Sequence, residues 1–174
     1  TCDGPLYMNQ SVAVVGGGDS AADEAITLTE YCERVLLIHR RDELRAQKSL
    51  VNRVSENRKI EVVWNTVIEE IVGSDTVSGL RLRNIVTNME NAVELSGLFV
   101  YVGLEPNSGL VDSLLKTDNA GHIPTNVSME TEVPGVYAVG DLRQNSSSQL
   151  ISAAGDGATA AVAAFKYISA KNWN

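Results

Sequence analysis

The feature that most restricts this chain is a run of three glycines, Gly16-Gly17-Gly18, set between a β-branched segment and a stretch of helix formers. Residues 11–15 read Ser-Val-Ala-Val-Val, an apolar run with the length and composition of a buried strand. From Asp19 the residues become Ser-Ala-Ala-Asp-Glu-Ala-Ile, a helix with acids in its first turn, where the macrodipole favours them. Residues 34–38, Arg-Val-Leu-Leu-Ile, predict a second buried strand. The unit closes within roughly 30 residues, the size of a right-handed parallel crossover. Inside it, Gly16-x-Gly18-x-x-Ala21 matches the G-x-G-x-x-G/A pattern. Gly16 permits the tight turn, Gly18 lets backbone approach a pyrophosphate, and Ala21 lets the helix sit close to the sheet. Helix N–H groups would meet the anion. A bare tight turn would use the same glycines, but the strand-turn-helix setting favours a nucleotide.

Charge narrows the nucleotide. The 174 residues carry a net charge of −8, yet residues 34–59 hold eight of the fourteen basic side chains and only three acids. That window is +5 on a remainder of −13, which suggests a small anionic ligand. An NAD site places Asp or Glu near the end of the second strand for the ribose 2′-OH. Here the strand ends on His39-Arg40-Arg41, with Arg45 expected one turn along the same helix face. Guanidinium groups grip a 2′-phosphate that an acid would repel, so NADP(H) is expected over NAD(H).

Other classes are disfavoured. An acidic chain makes a poor nucleic-acid binder, and no apolar run approaches the 18 or so residues of a membrane span. Thr1-Cys2-Asp3-Gly4 lacks the layout of a signal peptide, so a cytoplasmic setting is expected. Cys2 and Cys32 are too few for a disulfide framework, and Cys32 reads as a packing residue. At 44% hydrophobic residues, the chain can build a core.

Downstream, residues 42–57 predict a helix and 60–64 a third strand. Residues 67–72, 77–83 and 91–95 alternate between turn signals and predict an antiparallel meander. Residues 97–103 return as a buried strand. A boundary is placed after residue 104, giving units 1–104 and 105–174. In the second unit, residues 136–139 predict a strand that ends at Gly140-Asp141, placing a carboxylate outside a strand's carboxyl end. A helix of small residues follows from Ser152, whose N-terminus a flat ring could approach.

These strings in this order resemble the low-molecular-weight thioredoxin reductase family over nearly the whole chain. The resemblance rests on Thr1-Cys2-Asp3-Gly4, Val14-Val15-Gly16-Gly17-Gly18-Asp19-Ser20-Ala21, His39-Arg40-Arg41-Asp42-Glu43-Leu44-Arg45-Ala46, residues 97–103, residues 133–141, and Ala153-Ala154-Gly155-Asp156-Gly157. It implies a flavoenzyme in which NADPH reduces FAD, FAD reduces a Cys-x-x-Cys disulfide, and the dithiol reduces thioredoxin or a similar protein. Its fold would be a Rossmann-like parallel sheet with an inserted meander, followed by the C-terminal segment of an FAD-binding α/β domain. Cys2 would be the flavin-proximal cysteine and Asp3 a general acid. Gly16, Gly18, Asp19, Ser20, Ala21, His39, Arg40, Arg41 and Arg45 would hold NADPH, with Val102, Gly103 and His122 near its nicotinamide end. Gly140 and Asp141 would bind the FAD ribityl chain, with Gln149, Leu150 and Ile151 by the flavin ring.

Two departures stand out. Ser148 replaces the basic residue common before Gln149, and the first redox cysteine is absent. The chain is therefore expected to be an inactive piece of a homodimeric reductase, made of an NADPH domain and part of an FAD domain. A standalone NADP-binding module stays open. So does a same-fold reductase of another target, such as an alkyl hydroperoxide reductase flavoprotein subunit or a ferredoxin–NADP reductase.

Overall fold

The computed structural model describes residues 3–170; Thr1 and Cys2, and with them the expected redox cysteine, lie outside the described residues. The chain divides into two compact units, Thr1–Gly103 and Leu104–Asn174. The first contains β1 (Ser11–Gly16), α1 (Asp19–Leu28), β2 (Arg34–Ile38), α2 (Lys48–Glu56) and β3 (Ile60–Val63). It continues through β4 (Thr66–Gly73), β5 (Val77–Asn84), β6 (Glu90–Glu94) and β7 (Gly97–Tyr101).

β1, β2, β3 and β7 form a parallel sheet in the order β3-β2-β1-β7, and β4-β5-β6 form the expected antiparallel meander. Parallel strands need cover on both faces, and the period-2 alternation of side chains shows what supplies it. Val12, Val14, Val35 and Leu37 pack with Ala21, Ala22, Ala25 and Leu28 of α1. Their neighbours Ala13, Leu36 and Ile38 pack with Leu80, Leu82 and Leu95 of the meander region. The meander thus covers one face where a doubly wound sheet would use helices. Cys32 is fully buried in the α1 cluster, and burial pushes its thiol pKa up, so it is a packing residue of low reactivity. Lys59 closes the C-terminal end of α1, donating from Nζ to the Thr29 carbonyl at 2.7 Å and the Cys32 carbonyl at 3.0 Å.

The helix expected over residues 42–57 begins only at Lys48. Residues 39–47 are a loop, because tertiary hydrogen bonds replace helical ones. Arg45 donates its backbone N–H to the Gly17 carbonyl at 2.7 Å, and Gln47 donates its own to Asp19. Arg41 and Arg45 therefore do not share a helix face.

The second unit has one α-helix, α3 (Leu150–Ser169), and short 3-10 turns at Gly109–Val111 and Gly140–Leu142. The strand expected over residues 136–139 does not form. A strand needs a hydrogen-bonded neighbour, and this segment has only an isolated antiparallel bridge, Glu130 to Tyr137. That bridge is made by two bonds, Thr131 N–H donating to the Val136 carbonyl and Ala138 N–H to that of Met129, and the pairing extends no further. Asp141 accordingly sits in a 3-10 turn and not at a strand end.

That turn is held to α3 by a mostly buried ion pair. Arg143 meets Asp156 in a bidentate fork, Nε to Oδ2 at 2.6 Å and the terminal nitrogen to Oδ1 at 2.9 Å. The Gly140 N–H adds a third bond to Oδ2 at 3.0 Å. Asp156 is the buried residue of a helix otherwise exposed or half-exposed. The Arg143 guanidinium holds the Asp156 carboxyl below the usual carboxylate range, and the Gly140 amide adds to that effect.

A folded-state pKa below the ordinary value stabilises the fold at neutral pH and loses that contribution as pH falls through it. Asp156→Asn is expected to speed Gly140 amide exchange in NMR and to lower the melting temperature at about pH 7. The difference from wild type should shrink as the pH falls below the ordinary carboxylate range and the wild-type carboxylate takes up its proton.

Candidate dinucleotide-binding site

Strand order reverses at β1: the chain runs from β1 out to β2 and β3, then returns to β7 on the other side. In open α/β sheets that switch point opens a crevice beyond the carboxyl ends of the strands. Gly16, paired in register with Tyr101 of β7, lies at its floor.

The three glycines do different jobs. A Cβ on Gly16 would strike the Tyr101 carbonyl oxygen and come within 2.7 Å of the Ala21 methyl, so strand and helix meet with no room for a side chain. A Cβ on Gly17 would land on the His39 ring. Gly18 is open, with no atom within 4 Å of an added Cβ. It is also the N-cap of α1, and no side chain caps the helix there. The first N–H groups of a helix have no acceptor within it, so an uncapped N-terminus beside open space can receive an anion.

A cavity of about 360 Å³ lies here, lined among others by Gly16, Gly17, His39, Arg40, Arg45 and Val102. Of the residues assigned to NADPH, Gly18, Asp19, Ser20, Ala21, Arg41 and Gly103 do not line it. Arg40, Arg41 and Arg45 are exposed, and none enters an ion pair among the described residues. Both Asp19 carboxylate oxygens accept hydrogen bonds from Gln47. One wall comes from β4, through Thr66, Ile68 and Ile71, which no sequence motif marked. Only the packing of the meander on the sheet brings them there.

His39 is buried, with Trp64 edge-on at 6.4 Å between ring centroids. Its Nε2 is buried without a hydrogen-bond partner, an exception that calls for an explanation in a packed protein. Burial pushes the imidazole pKa down, and the nearby Arg41 and Arg45 charges push the same way, against the carbonyls of Glu43 and Gly16. The ring is a neutral, partly unsatisfied group at the cavity wall.

The remaining expected residues lie in the second unit or at the start of the chain. His122 and Asp141 line one cavity of about 350 Å³ together with Leu104, Pro106 and Ser148. His122 is held from its backbone, donating N–H to Asp118 Oδ1 at 3.0 Å. Gly140 gives its N–H to Asp156. Gln149 caps α3 with Ser152, whose hydroxyl accepts the Gln149 N–H and donates to its carbonyl at 2.7 Å. Leu150 and Ile151 stand 89% and 82% exposed, an uncovered apolar pair at the α3 N-terminus. Asp3 is exposed just ahead of the Gly4–Tyr7 turn.

The first unit is thus a Rossmann-type α/β unit with a glycine turn at its switch point. Residues 3–158 match the family model of the pyridine nucleotide-disulphide oxidoreductases. The chain is 42% identical over 168 residues to a thioredoxin reductase of Listeria monocytogenes, covering 96% of this chain and 53% of that protein. It is 43% identical over 168 residues to one of Treponema pallidum, covering 97% and 54%. The crystal structure of thioredoxin reductase from Streptococcus pyogenes superposes with a TM-score of 0.83 at 42% identity, covering 97% of this chain and 55% of that one. The chain belongs to the pyridine nucleotide-disulphide oxidoreductase family, and within it to the low-molecular-weight thioredoxin reductases. It spans about half the length of the relatives it matches.

The glycine geometry separates packing from binding. Gly17→Ala is expected to cost about 1–3 kcal/mol in urea unfolding, because the methyl group must displace His39. Gly18→Ala should change stability by less than about 0.5 kcal/mol and yet weaken dinucleotide binding in a calorimetric titration.

Proposed function

We propose that this chain carries the NADP(H) site of a flavoprotein disulfide reductase of the thioredoxin reductase type. The observation that carries the reading is the arginine set at the end of β2. Arg40, Arg41 and Arg45 are exposed, free of ion pairs among the described residues, and next to a glycine turn whose open member is an uncapped helix start. A pyrophosphate suits the α1 N-terminus, and a 2′-phosphate suits the guanidinium groups. The unpartnered Nε2 of His39 is a polar atom that a bound nucleotide would satisfy. The relatives' shared name supports the same assignment.

For FAD, the fitting features are the exposed Leu150–Ile151 pair at the α3 N-terminus and the exposed Asp141 carboxylate. Gly140 and Gln149 act from behind, Gly140 anchoring the turn to Asp156 and Gln149 capping the helix. Bound flavin would relay electrons from NADPH to a Cys-x-x-Cys disulfide. In that reading Cys2 is the flavin-proximal thiol, Asp3 supplies the proton to the departing thiolate, and Val102, Gly103 and His122 flank the nicotinamide end. Thioredoxin or a similar dithiol protein is the electron acceptor, and the whole reductase is a cytoplasmic homodimer. No helix among the described residues is long and apolar enough to cross a membrane.

Calorimetric titration of the 174-residue chain with NADPH and NADH tests the cofactor assignment. NADPH is expected to bind at least tenfold more tightly, roughly the value of one charge-assisted contact. Arg45→Glu should weaken NADPH by roughly tenfold and leave NADH almost unchanged. Equal affinities in wild type would defeat the assignment.

A further inference from the structure

The arginine loop is fastened at two points, by a backbone bond to the glycine turn and by one acidic side chain at the start of α1. Gln47 donates its backbone N–H to Asp19 Oδ1 at 2.7 Å and its side-chain amide to Oδ2 at 3.0 Å. Two residues earlier, the Arg45 N–H donates to the Gly17 carbonyl at 2.7 Å. These bonds join residues 45–47 to the turn and to the first residue of α1. The loop has no helix or strand of its own, and its opposite end is held by Asn65 N–H donating to the Arg41 carbonyl at 3.1 Å. The station of Arg45 beside the turn is therefore set from outside the loop.

Asp19 also carries a negative charge at the helix N-terminus, beside the space open at Gly18. Pointed into that space, its carboxylate would repel a phosphate. Engaged by Gln47, it is committed to the loop with both oxygens occupied.

We propose that Asp19 is a positioning residue for 2′-phosphate selection: through Gln47 it holds Arg45 at the cavity, and it makes no contact with the dinucleotide itself. The proposal rests on the reading of this turn as an NADP(H) site. It differs from direct cofactor binding by Asp19, and from a helix-end acid that serves stability alone.

The two probes are 2′,5′-ADP and 5′-AMP, which differ in the 2′-phosphate, titrated calorimetrically into the 174-residue chain at one ionic strength. Wild type is measured first: no preference for 2′,5′-ADP overturns the NADP(H) reading itself. Given that preference, Asp19→Ala is expected to cut the 2′,5′-ADP to 5′-AMP affinity ratio by roughly five- to tenfold, through 2′,5′-ADP alone. Asp19→Asn, which can still accept the Gln47 N–H, should retain most of the ratio. Gln47→Pro removes both donors without touching α1, and its ring suits the φ of −55° found there. It should reproduce Asp19→Ala, and the double variant should be no worse than either. Melting curves confirm folding, and if Asp19→Ala does not fold, Gln47→Pro and Asp19→Asn decide. The proposal is overturned if the ratio holds in Gln47→Pro. It is also overturned if Asp19→Ala and Asp19→Asn change both probes alike.

Discussion

Everything at the functional end of the first unit depends on how closely β1, α1 and β7 approach one another at Gly16. The Tyr101 carbonyl on one side and the Ala21 methyl on the other leave no space for a Cβ. That contact sets the angle at which α1 leaves the sheet, and so the direction of its uncapped N–H groups. Gly17 extends the constraint, because the His39 ring occupies the volume a side chain would need. The turn, the helix N-terminus and the end of β2 form one packed assembly. The arginines inherit their placement from it, by way of the Arg45 N–H on the Gly17 carbonyl and the two Gln47 bonds to Asp19.

The second unit is organised on a different principle. Its apolar cluster is small, built on Leu115, Ile123 and Ala138, and α3 contributes mainly a buried carboxylate. A mostly buried pair loses desolvation energy that only good geometry offsets, and the bidentate fork with a third bond from Gly140 supplies that geometry. Asp156 lies within the resemblance, in the string Ala153-Ala154-Gly155-Asp156-Gly157, but its spacing gives no hint of Arg143 as partner. Partner choice between a turn and a helix thirteen residues apart is decided by folding alone.

Much of the architecture was legible from local pattern. Strands 11–15 and 34–38 are buried on both faces, so each reads as an unbroken apolar run. The meander alternates because its outer face meets solvent. The readings failed where tertiary hydrogen bonds overrode local preference. Residues 42–47 have helix-compatible side chains, yet the Arg45 and Gln47 N–H groups serve Gly17 and Asp19 instead of an i−4 carbonyl. Residues 136–139 have strand-like side chains, yet no described strand lies beside them to pair with. The walls from Thr66, Ile68 and Ile71 carry no motif, since any apolar β-strand residue could serve there.

By itself, the sequence determined the glycine turn, its strand and helix, and the basic character of the β2 end, because each is a short-range matter of sterics, periodicity or charge. It likewise determined the family, through strings spread along the chain. Only the tertiary structure decided which glycine faces open space, that His39 is buried with an unsatisfied nitrogen, and that Asp19 is bound to Gln47. Those outcomes depend on which residues twenty or more positions apart come to share the same few ångströms, and no local pattern encodes that.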